Sequence, residues 1–229
     1  MNSKVVAILC AFALTLATPV AHAGDVLDRI VATVNSQALF QSDWDDAVLY
    51  EAFVAKRSVD AVSFAERKAA LDHLIDQELL QEQIHGVESV EPTEQEVAKQ
   101  IDDIRKQYDG SEVEAAWKTL LSNHKLTEQE LRRRVKLQLK LARLVDLRLR
   151  PSANVTPKNI ESYYQHELLP QLQEAGARQV TLAEVTPKIK ELLTEKKINE
   201  LLVAWLQDLH SGSDIRTHFD SSFNESQPQ

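Results

Sequence analysis

The feature that most limits what this chain can fold into is a hydroxyl residue followed three positions later by an acid, repeated along its first two thirds. Ser42 with Asp45, Ser63 with Glu66, Thr93 with Glu96, Ser111 with Glu114 and Thr127 with Glu130 all have this spacing. At a helix N-terminus the hydroxyl accepts from the amide three residues on, and the acid reaches back to the amide of the hydroxyl residue. Two orphan donors of the first turn are satisfied together. A chain that opens helix after helix in this way is helical, and its stops are as legible as its starts. Gly86 follows Ile84-His85, Asp109-Gly110 follows Tyr108, and Pro151 follows Arg150. Each is a residue type that leaves or cannot continue the helical ladder.

Between these marks apolar residues recur at helical spacing, as in Leu71, Leu74, Ile75, Leu79 and in Val97, Ile101, Ile104, Tyr108. The segment Glu128 to Leu149 is expected to be the longest helix. Its stripe of Leu131, Val135, Ala142, Val145 and Leu149, widened by Leu137, Leu141 and Leu144, predicts a central helix with neighbours on two sides. The other face carries Arg132, Arg133, Lys136, Lys140 and Arg143. In an acidic chain this basic face is expected to be solvated or to partner nearby carboxylates, in preference to a nucleic-acid or phospholipid site. A further helix is predicted from Thr156-Pro157 through Tyr163-Tyr164, with proline at the first helical position. After Pro170 the stretch 171–185 is less regular, and a last helix is predicted from Thr186-Pro187 to Gly212.

Two short stretches alternate with period two instead. Within Leu27 to Gln41, Ile30, Ala32 and Val34 share one parity and Val31 and Thr33 the other, with Asn35-Ser36 as a tight turn before Ala38-Leu39-Phe40. One hairpin is marginal in water. Asp214 to Phe219 also alternates and is expected to pair with it. The predicted fold class is mainly α, with a small N-terminal β-hairpin joined by a C-terminal strand.

The N-terminus reads as a secretory leader. Lys4 precedes the apolar run Val5 to Leu16, and Ala21-His22-Ala23 is an A-x-A cleavage signal, so residues 1–23 are predicted to be removed and Gly24 to begin the mature chain. The run is short for a bilayer, so no stable membrane insertion is expected after cleavage. Cys10 and Met1, the lone cysteine and methionine, leave with it. The mature chain then has no disulfide or thiol chemistry, which suits an oxidising compartment. The formal charge of −9 argues against nucleic-acid and anionic-membrane partners. The polar residues 220–229 are predicted to be a disordered tail.

The order of elements resembles the N-terminal module of the SurA-type periplasmic chaperones. The resemblance rests on Ile30-Val31-Ala32-Thr33-Val34-Asn35, on Gln41-Ser42-Asp43 opening a helix, and on Leu71-Asp72-His73-Leu74-Ile75-Asp76-Gln77-Glu78-Leu79-Leu80. Val155-Thr156-Pro157 followed by Tyr163-Tyr164 is similar to the entry of that family's linker helix, and Trp205-Leu206 with the alternating strand resembles the segment that completes the module. The resemblance implies one helical unit over residues 24–219: an N-terminal part 24–168, a short linker 169–185, and a C-terminal helix and strand 186–219. A parvulin isomerase domain normally follows the linker helix in this family. Between Tyr164 and Thr186 there is too little chain for one, because an independent domain needs about 50 residues.

Reactive chemistry finds little support. The glycines are isolated at 24, 86, 110, 176 and 212, so no phosphate-binding loop is expected, and no nucleotide cofactor. The histidines at 73, 85, 124, 166, 210 and 218 lack metal-site spacing, and Asp43, Asp45 and Asp46 fall where a helix start would use them, so no metal is expected. No catalytic constellation can be named. Binding by shape and apolar surface remains, with Phe40, Trp44, Tyr50, Phe53, Trp117, Tyr163 and Tyr164 as candidate client-binding aromatics. The expected function is an ATP-independent periplasmic holdase for unfolded polypeptides, including outer-membrane protein precursors. A minimal peptidyl-prolyl isomerase and a non-chaperone envelope scaffold are the alternatives.

Overall fold

The computed structural model of the chain describes residues 28–85, 87–108 and 113–218. The predicted leader, the tail, the stops at Gly86 and Asp109-Gly110, and the positions of Leu27, Ser111 and Phe219 lie outside the described residues.

Strands β1 (Ile30–Val34) and β2 (Gln37–Phe40) form a hairpin about Asn35-Ser36, where Asn35 takes the positive φ of 52° that asparagine tolerates in tight turns. Helices α1 (Gln41–Val54), α2 (Phe64–Glu82), α3 (Glu94–Arg105), α4 (Glu114–Asn123) and α5 (Glu128–Leu149) follow. Then come α6 (Pro157–Tyr163), a wide π turn over Tyr164–Leu168, α7 (Leu169–Glu174), α8 (Leu182–Gly212) and β3 (Ile215–Thr217). The sheet has the order β2-β1-β3 with both pairings antiparallel. The mainly helical class, and the closure of the hairpin by a C-terminal strand, agree with the sequence.

Three of the five predicted starts form as drawn. Ser63, Thr93 and Thr127 each accept from the amide of Glu66, Glu96 and Glu130, whose carboxylates return to the cap amides. The hydroxyl and amide of Ser63, with help from Arg57, draw the Glu66 carboxyl down to about 2. The other two differ. Strand β2 runs straight into α1, so the cap falls on Phe40, and Asp43 rather than Asp45 accepts the Phe40 amide at 2.9 Å. Ser42 lies inside the first turn and donates to Asp28, while Asp45 takes Gln41 Nε2 at 3.1 Å and Arg67. Helix α4 starts with Val113 at the cap, which makes Glu114 its first residue and not its third.

The last helix also begins earlier than Thr186-Pro187. Thr181 and Glu184 make a reciprocal cap at 3.4 and 2.8 Å, and Pro187 lies inside α8. The missing Pro187 amide leaves the first turns short of one bond, and the Thr186 hydroxyl donates to Leu182 O at 2.7 Å beside it. At 31 residues α8, not the 22-residue α5, is the longest helix. Within α5, Leu131, Val135, Leu144 and Leu149 are buried as expected, but Ala142 is exposed. The π turn has a local cause. Pro170 has no amide to give His166 O, and the ladder widens so that the Leu169 amide bonds Tyr164 O.

Packing gathers into three cores. Val31, Ala32, Val34 and Leu39 of the sheet meet Trp44 and Val48 of α1 and the apolar face of α2. Phe53, Val97, Trp117 and Leu131 join α1, α3, α4 and α5. Leu80, Leu144, Ile198 and Trp205 join α2, α5 and α8.

Asn35 ties the ends of the described chain together. Its side chain donates to Glu82 Oε2 at 2.7 Å and accepts the Asp214 amide at 3.0 Å, while its own amide donates to Asp214 O at 2.8 Å. Asn35→Ala removes these side-chain bonds, with a longer one to Ser213 Oγ at 3.4 Å, and leaves a less tolerant residue at positive φ. A loss of about 2 kcal/mol is expected in urea unfolding. An unchanged midpoint would show that β3 docks without this junction.

Candidate functional site

Alongside β2, between α1, α2 and α5, lies a crevice of about 540 Å³. Leu39, Leu74 and Leu137 give it an apolar lining, and Gln37, Gln77 and Gln81 place three amide side chains along it. Its charges are separated by element. Asp43 and Asp46 of α1, Glu78 of α2 and Glu91 of the turn before α3 supply acid, and Arg133, Arg134, Lys136 and Lys140 of α5 supply base.

The two charged sides neutralise each other only in part. Arg134 and Asp46 approach no nearer than 3.7 Å, and the Arg134 guanidinium lies over the Tyr50 ring at 5.2 Å. The Arg134 side chain is 19 % exposed and its Nε has no hydrogen-bond partner among the described residues. Burial lowers the Arg134 pKa against the pull of Asp46. Burial raises the Asp46 carboxyl, opposed by Arg134 and reinforced by Glu130. Burial also raises Glu78, with Glu82 and Asp43 adding to it. Partly desolvated charge of both signs therefore faces a space large enough for a ligand.

The outer part of the basic face is already paired, as the sequence suggested. Lys136 and Lys140 both hold Glu91 at 2.9 Å, Arg132 holds Glu94 at 3.0 Å, and Arg143 binds Glu96 and, at 2.6 Å, Glu91 O. These contacts fix α5 against α3 and the turn before it.

None of the seven candidate aromatics lines the crevice. Trp44, Tyr50, Phe53 and Trp117 are buried. Phe53 stacks on Tyr108 at 5.1 Å and meets Trp117 edge-on at 6.1 Å, an aromatic cluster that glues α1 to α3 and α4. The Trp44 indole donates to Arg67 O at 2.6 Å, and the Tyr50 hydroxyl to Gln138 Oε1 at 2.8 Å. Phe40 is 36 % exposed beside its cross-strand partner Ile30, 41 % exposed. Tyr163 and Tyr164 are half-buried, and the Tyr164 hydroxyl donates to Val180 O at 2.7 Å, tying down the loop before α8. The crevice residues went unnoticed in the sequence because they come from four separated elements and the turn before α3. The one available signal was the Arg133-Arg134 pair at the edge of the α5 apolar stripe.

A family model described as the SurA-like N-terminal domain matches residues 2–145. The chain belongs to this family. No curated protein matches it. The match ends inside α5, so α6, α7, α8 and β3 lie beyond it, although β3 completes the sheet that the matched residues begin. The crevice is built wholly from residues that the SurA-like model matches. Among the described residues no helix is long and apolar enough to cross a membrane, and no group of three or more His, Cys, Asp or Glu side chains could hold a metal ion.

The raised Glu78 carboxyl has a consequence for stability. The folded state holds this proton more tightly than the unfolded chain does, so its stability rises as pH falls through the range between the two pKa values and declines as pH rises through it. Glu78→Gln keeps the shape and removes that dependence. Urea midpoints between about pH 4 and pH 7 are expected to flatten in the variant, which should equal or exceed the wild type at neutral pH. A variant less stable at neutral pH would show that the carboxylate is favourably paired.

Proposed function

We propose that this chain is an ATP-independent holdase of the periplasm, which keeps unfolded exported proteins, outer-membrane β-barrel precursors among them, from aggregating. The observation that carries the reading is the open crevice, with its apolar lining, amide side chains and incompletely paired charge of both signs. A site of this kind favours chains with mixed composition over one shaped ligand, and its charged rim keeps it wet when empty. Membership of the SurA-like family supports a chaperone-type role. The leader motif supports export with cleavage after Ala23, and the isolated glycines support action without nucleotide.

On this reading residues 24–219 act as one unit, since β3 bonds to β1 across the whole chain. Phe40, which is exposed, and Tyr163 and Tyr164, which are half-buried, serve as auxiliary client contacts. Trp44, Tyr50, Phe53 and Trp117 hold the walls in place from within.

Dilution of a urea-unfolded porin, followed by light scattering, tests the reading. The chain is expected to suppress scattering at equimolar to several-fold excess, and Leu137→Asn, which makes the crevice lining polar, to suppress it about fivefold less well. Scattering that proceeds unchanged at several-fold excess overturns the reading. A proline-peptide assay run alongside is expected to match buffer, and acceleration there would favour the isomerase alternative.

A further inference from the structure

Strand β2 is an edge of the sheet, and it is the edge that adjoins the crevice. Two bonds fix how β1 faces its neighbours. The Asn35 amide donates to Asp214 O and the His218 amide to Val31 O, both at 2.8 Å, so Val31, Thr33 and Asn35 bond toward β3. Ala32 and Val34 therefore bond toward β2, where the register sets them opposite Leu39 and Gln37. By the same alternation the amide and carbonyl of Ala38 point outward from the sheet. The next outward amide, that of Phe40, is occupied by Asp43. Ala38 lines the crevice between Gln37 and Leu39, and its methyl group is too small to block another chain from approaching. An open strand edge beside an apolar groove is a template for a further strand.

We propose that the crevice takes its client as an extended segment, added as a fourth strand to the edge of β2, and so selects segments in which apolar and polar residues alternate. This rests on the holdase reading. A strand at this edge exchanges two main-chain hydrogen bonds with Ala38, and the Gln37, Gln77 and Gln81 amides offer donors and acceptors that suit a backbone of any sequence. Its side chains then point alternately to the two faces. One set meets Leu39, Leu74 and Leu137. Beside these leucines, Asp43, Asp46 and Glu78 complement basic residues that flank that set, and Arg133 and Arg134 complement acidic ones. The charge complementarity fits an amphipathic strand bearing both signs. A helical segment has its main-chain groups already bonded and has nothing to offer Ala38.

The test uses the full chain and a fluorescent ten-residue peptide in which Val and Thr alternate with Lys and Glu, with binding read by anisotropy. Two further peptides are N-methylated at every second residue, one on each parity. A strand bound by one edge predicts an asymmetric result, with one methylated peptide binding about tenfold more weakly than the parent and the other little changed. Equal binding by the two, whether both retained or both lost, overturns strand docking. Ala38→Pro removes the outward amide at an edge position where the sheet does not use it, and is expected to weaken the parent peptide about tenfold with an unchanged thermal midpoint. If that variant fails to fold, the methylated pair on the wild type still decides. A parent peptide that does not bind also overturns strand docking, and the porin assay then separates the cases. Porin kept soluble leaves the holdase reading standing, and porin lost removes both.

Discussion

Everything in this structure depends on β1 being bonded on both sides. A two-stranded hairpin of strands this short does not hold its shape in water. Its third strand comes from the far end of the described chain, with Asn35 and Asp214 bonded although they lie 179 positions apart. Closing so long a loop costs entropy only logarithmically in its length, so what matters is how much the closure brings with it. It brings α8. Leu209 packs against both the sheet core and the α2–α5–α8 core, and His210 Nε2 lies 2.6 Å from Asp76 on α2. The strand and the helix before it are one clamp, and neither has a place without the other.

With β1 saturated, the sheet has two edges of different character. Strand β3 is three residues long and keeps Arg216 and Asp214 paired on its exposed side, a charged and short edge of the kind that resists casual pairing. Strand β2 has its last amide closed by Asp43, and by strand alternation the Ala38 amide and carbonyl face away from β1 beside the crevice it lines. The position of α5 makes the difference, because it supplies the crevice with its basic side. That helix is held from outside by carboxylates at Glu91, Glu94 and Glu96, which consume Arg132, Lys136, Lys140 and Arg143. Arg134 is turned inward over Tyr50 and keeps an unsatisfied Nε. The acidic residues at and just before the start of α3 thus do more than balance charge, since they decide which basic groups remain for the crevice.

Local signals carried most of the fold. Reciprocal caps at Ser63, Thr93 and Thr127 were readable because cap and partner are three residues apart and need no tertiary help. Ser42 misled because a strand ends where the helix begins, and the geometry of that junction depends on β1. Thr181 was overlooked because Pro187 looks like a first-turn proline, yet a proline one turn further in is tolerated when a hydroxyl such as Thr186 lies beside the lost bond. The C-terminal strand was legible from its alternation, though its partner could be guessed only from the hairpin's need for one. The aromatics are legible only in part. Periodicity says that Trp44 and Phe53 face inward or toward a groove and cannot say which, because that turns on how near α2 and α4 pack. The crevice has no sequence signature, since its residues come from elements that meet only once β1 is closed.

On the proposed reading, the modest size of the site is part of how it works. An edge with one open residue offers two main-chain hydrogen bonds, each contributing about 1 kcal/mol net, and an apolar lining of three leucines adds a few more. Such a segment binds weakly and leaves quickly, which a chaperone without nucleotide requires, because nothing else would drive release. The grip on a long client then comes from its many segments presenting themselves in turn to one crevice. Alternating segments are also those that become strands in a β-barrel, so folding of the client buries the edges that the crevice would take. Release is then driven by the client's own folding, and selectivity for unfolded chains follows from the same competition for backbone hydrogen bonds.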